Sequence, residues 1–243
     1  MNGRKVILPG RRGPRLNGRS RAAAPAAAPA DFLVWQLIDS AFPTGGFAHS
    51  AGLEAAWQHG EVRNRAELTA FAEASLRQAG QASLPLVGAA FAEPGKLSEF
   101  DRLCDVFMTN HVANRASRAQ GRAFLTALQR VFSVALPAGT AAVPCSHFAP
   151  VFGAGLGLLG LSRAAAGRMF IFSQLRSVLA AAVRLNIVGP MEAQQLQHRL
   201  ALTAEAVLQA CATLTLDDLA QTAPLLDLWQ GAQDRLYSRL FQS

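Results

Sequence analysis

The chain has 243 residues, 51% of them hydrophobic, enough for one sizeable core and at most one domain boundary, which excludes a wholly disordered protein. Its 23 Lys and Arg exceed 16 Asp and Glu, but seven basic residues and no acidic one fall within residues 1–30, so residues 31–243 are neutral overall and the pI does not mark the folded part as a nucleic-acid binder. Neither lysine, Lys5 or Lys96, sits between Gly and Ser or Thr, which excludes a P-loop.

Residues 1–30 are a Gly/Arg segment followed by an Ala/Pro run, and that composition predicts a disordered leader. An organelle-targeting reading of it is disfavoured because it holds one serine and no amphipathic pattern. From residue 31 the apolar spacing is helical. Leu68, Phe71, Ala72, Leu76 and Ala79 share one face, and Asn64 with Glu67 three later makes a capping-box-like start. Phe100, Leu103, Cys104 and Phe107 repeat the pattern, with His111 continuing it, as do Phe124, Leu128, Val131, Phe132 and Ala135. Ile171, Leu175, Val178 and Ala182 follow Ser162, placed to cap. Gly189 and Pro190 are expected to stop that helix and open the next, which carries Leu196, Leu200, Val207 and Leu214. No segment alternates like a strand, so the expectation is an all-α fold: one compact multi-helix domain over residues 31–243.

Residues 131–162 contain no charge, yet prolines and glycines interrupt them, so a buried segment is expected and no membrane span. Within them Gly155, Gly157 and Gly160 spell GxGxxG without a preceding strand, which predicts a close helix crossing more readily than a dinucleotide site. Residues 106–191 lack Asp and Glu altogether while both flanks are net acidic, a pattern expected to neutralise itself within one fold. It also leaves that stretch without a carboxylate pair for acid–base catalysis. Cys104, Cys145 and Cys211 are odd in number and far apart, which predicts reduced thiols and a cytoplasmic setting. The five histidines include no pair three or four apart and there is no CxxC, so no self-contained metal site is expected.

Residues 39–54 are the densest in information. Pro43, Gly45 and Gly46 shape a turn that Phe42 and Phe47 can anchor, and Ser50 can cap a helix running through Leu53 and Trp57. Ser50 lacks the elbow spelling of a nucleophile. His147 reads as a satisfied core histidine, and Asn114, Arg115, Ser117, Gln120, Gly121 and Arg122 form a polar helix stripe. Residues 234–243 end the chain with its one tyrosine, two arginines, Leu240 and Phe241, residue types that anchor interfaces; docking onto their own domain or onto another chain is equally open.

Together these spellings resemble the urease accessory protein F (UreF) family. The resemblance rests on Ser40, Pro43, Gly45, Gly46, Phe47, Ser50, Gly52, Leu53 and Glu54; on Ser117 and Gly121; on His147 and Gly153; on Arg184; and on Tyr237, Ser238, Arg239, Leu240 and Phe241. The pattern departs at residues 186–190, at residues 231–234 and at Gln242. The resemblance implies an all-α, cytoplasmic, homodimeric protein that is not an enzyme, with no catalytic residue and no directly bound cofactor. It implies a bridge between the D-type (or H-type) accessory protein and the G-type GTPase on urease apoprotein, with nickel and GTP handled by those partners, and no nucleic acid or membrane. Arg235 and residues 237–241 would engage the D-type partner, and residues 40–54 would lie near the partner surfaces. The alternatives are a divergent helical scaffold or a small-molecule enzyme with a pocket between Pro43 and Gly155.

Overall fold

A computed structural model describes residues 30–138 and 143–243, so the leader expected over residues 1–30 lies, apart from Ala30, outside the described residues. The described chain is helical with no strand: α1 (Ala30–Ile38), α2 (Leu53–Gln58), α3 (Arg65–Ala82), α4 (Leu84–Ala92), α5 (Leu97–Phe107), α6 (His111–Phe132), α7 (Phe148–Leu158), α8 (Arg163–Arg184), α9 (Pro190–Ala210) and α10 (Pro224–Ala232), with single 3-10 turns between some of them. The expected all-α single domain is what forms.

The uncharged stretch is the centre of the fold. Every residue from Phe148 to Leu156 of α7 is buried, as a helix apolar on all sides requires. It packs chiefly on α4 and α6. A Cβ on Gly153 would lie 2.1 Å from the Val87 carbonyl oxygen, one on Gly157 2.8 Å from that of Phe91, and one on Gly155 2.3 Å from Leu128 Cδ1. Gly155 and Gly157 of the glycine spelling therefore lie at helix crossings, where a missing side chain permits close approach, whereas Gly160, at φ +77° with open space around it, follows the end of α7. Phe42, Phe124, Phe148, Phe152 and Phe170 then interlock with ring centroids 5.3–5.9 Å apart, drawing α6, α7, α8 and the segment before α2 onto one core. Among the described residues no helix is long and apolar enough to cross a membrane.

The two helix starts expected from a capping side chain at Asn64 and Ser162 are capped as expected. Asn64 Oδ1 accepts from the N–H of Ala66 at 2.9 Å and of Glu67 at 3.1 Å, while Glu67 reaches back to the Arg63 N–H at 2.6 Å. Ser162 Oγ accepts from Ala165 N–H at 3.1 Å. Four expectations need correction, the first being Leu214, which lies beyond α9 because that helix ends at Ala210 with Cys211 as its cap. His111 does not extend the face of α5: Asn110 caps a new helix through the N–H of Val112 and Ala113, which turns His111 outward to meet Asp234 at 3.1 Å. Helix α6 ends at Phe132 because Ser133 takes φ +55°, so Ala135 lies beyond it. Helix α8 is stopped by Asn186 at φ +57° with the paired closing bonds Ile187 N–H to Ala182 O and Asn186 N–H to Val183 O, both 3.0 Å, leaving Gly189 only the cap of α9. Asparagine tolerates the left-handed region and ends a helix as glycine does.

The acid-free middle does pair with its flanks. Arg115 forms a two-pronged contact with Asp234 at 2.8 and 3.2 Å, and Arg168 does the same with Glu205. Both carboxylates are held below their usual range by the hydrogen bonds from these arginines.

Candidate functional site

The residues between α1 and α2 form a platform. Asp39 Oδ1 accepts from the Ala41 N–H at 2.7 Å, and Phe42 turns into the aromatic core. Phe47 does not anchor the turn: its ring is 74% exposed, and only its carbonyl is held, by the Arg184 guanidinium. Ser40 and Pro43 are exposed. Gly45 at φ +71° precedes a 3-10 turn at Gly46–Ala48, with Gly46 packed near Gln120 and Ser177. Gly52, at φ +87°, caps α2 with a backbone geometry that disfavours other residues, and a Cβ there would lie 2.9 Å from the Gln230 N of α10.

Ser50 is therefore not the helix cap. It is 1% exposed, accepts weakly from the Glu54 N–H at 3.4 Å, and uses its hydroxyl to donate to the Ser243 carbonyl at 3.1 Å. Glu54, in the first turn of α2 and 2% exposed, is the centre of the arrangement. Its Oε1 accepts from the Leu240 N–H at 2.6 Å, and its Oε2 from the Phe241 N–H at 3.0 Å and Gln233 Nε2 at 2.6 Å. Gln233 also donates to the Phe241 carbonyl at 3.3 Å, and its Oε1 has no hydrogen-bond partner among the described residues. A buried carboxylate at a helix start, receiving three N–H groups, gives a strong directional anchor.

The final residues thus fold back as a clasp. Gln242 N–H donates to the Ala48 carbonyl at 2.8 Å and Ser50 N–H to that of Ser243 at 2.5 Å, while Ser243 Oγ meets His49 Nδ1 at 2.6 Å. Burial, and then the nearby Arg115 charge, push the His49 imidazole below its ordinary value. Phe241 is buried in the chain's own core with the Arg184 guanidinium 4.2 Å above its ring. Gln58 donates to the Ser238 carbonyl at 2.9 Å, and Arg239 reaches Asp234 at 3.2 Å. Tyr237, fully exposed, and Leu240, 52% exposed, turn an aromatic and an aliphatic side chain outward, with Arg235, Ser238, Arg239 and Gln242 also exposed. Phe241 and Ser243 dock onto the chain's own domain, while the side chains of Tyr237 and Leu240 face outward.

The remaining predicted residues gather elsewhere. His147 is fully buried, its Nδ1 3.1 Å from Ser117 Oγ and its Nε2 3.0 Å from Asp105 Oδ1. Asp101, also fully buried, accepts the backbone N–H groups of Cys145, Ser146 and His147 at 2.7–3.0 Å, clamping that turn onto α5. Gly121 is required beside it, since a Cβ would lie 1.9 Å from the Ser146 carbonyl oxygen, and Gly153 serves α4 as described. Asp101, Asp105 and Gln233 belong to none of the sequence motifs above. The two aspartates each follow a buried residue of the α5 stripe, Phe100 and Cys104, and that four-residue spacing was the available signal. An apolar cavity of about 450 Å³ is lined by Leu84, Phe91, Arg163, Leu208 and Leu214, and a smaller one of about 180 Å³ by His49, Ala51, Ser117, Phe148 and Ser243.

Fold and clasp together define a helical protein whose C-terminal segment is displayed on its own N-terminal turn. The UreF family model matches residues 62–201, more than half the chain, leaving residues 40–54 and 234–243 outside its span. Urease accessory protein F of Arabidopsis thaliana is 40% identical over 219 residues, covering 86% of this chain and 91% of the relative. Urease accessory protein F of Oryza sativa subsp. indica is 38% identical over 216 residues, covering 85% and 83%. An uncharacterized UreF-like urease accessory protein of Schizosaccharomyces pombe is 30% identical over 225 residues, covering 85% and 94%. The chain belongs to the UreF family of urease accessory proteins.

Proposed function

We propose that this protein works by binding, as a co-chaperone in urease maturation. It would join the D-type (or H-type) accessory protein to the G-type GTPase on urease apoprotein and so promote GTP-dependent nickel insertion, acting in the cytoplasm as a homodimer and leaving nickel and GTP to its partners. The observation that carries this reading is the clasp: its backbone is pinned by Glu54 while Tyr237 and Leu240 stand out from the surface. An aromatic and an aliphatic side chain held outward on an ordered backbone lose little conformational freedom on docking, which suits them to be the anchors of an interface. Exposed Phe47, whose carbonyl shares Arg184 with the Phe241 ring, extends the same region.

The test is capture of the D-type partner by full-length protein carrying Tyr237→Ala and Leu240→Ala. Both side chains point outward, so the helical spectrum and melting temperature should be unchanged. Two anchors at about 2 kcal/mol each would weaken capture by roughly a hundredfold or more. Capture at wild-type affinity would refute the reading.

A further inference from the structure

We propose that Asp105, Cys145 and His147 form a binding site for one borderline divalent transition ion of the zinc and cobalt class. Their ligand atoms, a carboxylate oxygen, the Cys145 Sγ and a ring nitrogen, all lie within 4.8 Å of one another, with His147 Nε2 and Asp105 Oδ1 at 3.0 Å. A tetrahedral ion with bonds of about 2.0–2.3 Å holds its ligands about 3.4–3.6 Å apart, so small side-chain shifts admit it. Sulfur and imidazole select against Mg²⁺ and Ca²⁺, and a carboxylate plus a thiolate balance a double positive charge.

The supports around the three ligands are already in place. Asp101 fixes the backbone N–H groups of both Cys145 and His147, so the spacing of two ligands is set by a fourth residue. Ser117 Oγ stands at His147 Nδ1, and Asn114 Nδ2 donates to Asp105 Oδ1 at 2.9 Å. Such outer partners orient metal ligands and set the ring tautomer. On coordination Cys145 loses its thiol proton to solvent. The imidazole N–H moves from Nε2 to Nδ1, where Ser117 Oγ accepts it, and the ion replaces the hydrogen bond between Nε2 and Asp105. Asp105 is 38% exposed at its side chain and borders an open groove of about 680 Å³ lined also by Val106, Asn114 and Arg118, which provides a way in. Residues of α5 and of the turn before α7 meet only in the fold, so Cys-x-His alone did not announce a site.

The full-length reduced protein, stripped of metal, is titrated with Co²⁺ and followed by absorbance. The expected result is one Co²⁺ per chain, a thiolate-to-cobalt charge-transfer band with intense tetrahedral visible bands, and their loss on adding Zn²⁺. Cys145→Ser should abolish the charge-transfer band while Cys211→Ser keeps it, and Ser117→Ala should weaken Co²⁺ binding about 10- to 100-fold. Independently of any variant, Zn²⁺ should protect Cys145 of the wild-type chain from alkylation by iodoacetamide, read by peptide mass. No charge-transfer band in the wild type, the same band in Cys145→Ser, or equal Cys145 labelling with and without Zn²⁺ would each overturn the site.

Discussion

Replacing Glu54 by glutamine keeps the side-chain volume and turns one acceptor oxygen into an N–H₂ group. That group must face the Leu240 N–H on one side or the Phe241 N–H and Gln233 Nε2 on the other, so at least one donor inside a buried network meets another donor. Hydrogen bonds to a charged acceptor contribute about 1.5–3 kcal/mol each, and a buried donor left unpaired costs about 1–3 kcal/mol. Against this, the variant no longer buries a charge, which returns part of the loss. The net expectation is about 2–3 kcal/mol, expressed as release of the clasp because residues 236–243 can detach without unfolding α2. That corresponds to a 30- to 150-fold rise in the opening equilibrium, at about 1.4 kcal/mol per tenfold. Amide hydrogen exchange reads it directly: protection of the Leu240 and Phe241 N–H groups should fall by this factor, while amides in α7 and α8 change little. If the two amides keep wild-type protection, the carboxylate is not what holds the segment, and the clasp reasoning fails.

Gly153→Ala should destabilise the fold by about 3 kcal/mol or more, because its methyl would overlap the Val87 carbonyl between two backbones, whereas Gly95→Ala, with open space around it, should leave the melting temperature nearly unchanged. Asp101→Asn removes one acceptor oxygen from three backbone donors and should lower stability by about 2–4 kcal/mol, with the Cys145–His147 amides losing exchange protection first. His49 is depressed in the folded state, so the unfolded chain binds more protons near and below its ordinary value; stability rises with pH through about 6.5 and the clasp loosens on acidification below it. His49→Asn should flatten that part of the pH dependence of Ser50 amide exchange. Cys104, whose thiol burial and the neighbouring Asp101 and Asp105 push up to about 12, should resist iodoacetamide until the protein unfolds.

What could be read from the sequence was what depends on local periodicity and on the spelling of short segments. About three turns of apolar residues behind Asn64 specify α3 wherever it packs, and Ser162 starts α8 through a bond three residues away. The signature at residues 40–54 and the motif at residues 237–241 are visible for the same reason. Their relation was not: Glu54 and Leu240 are 186 residues apart, and no composition indicates that one carboxylate accepts the backbone of the other segment. Likewise His111 leaves the apolar face of α5 because Asn110 caps a new helix in front of it, and Phe47, an aromatic beside glycines, faces outward where its spelling suggests an anchor. Helix content follows from side chains acting within a few residues, whereas the clasp and the Asp105–Cys145–His147 cluster exist only once α2, α5, α6 and the C-terminal segment are brought together. Tertiary packing made that choice because each buried donor and acceptor needed a partner that its own helix could not supply.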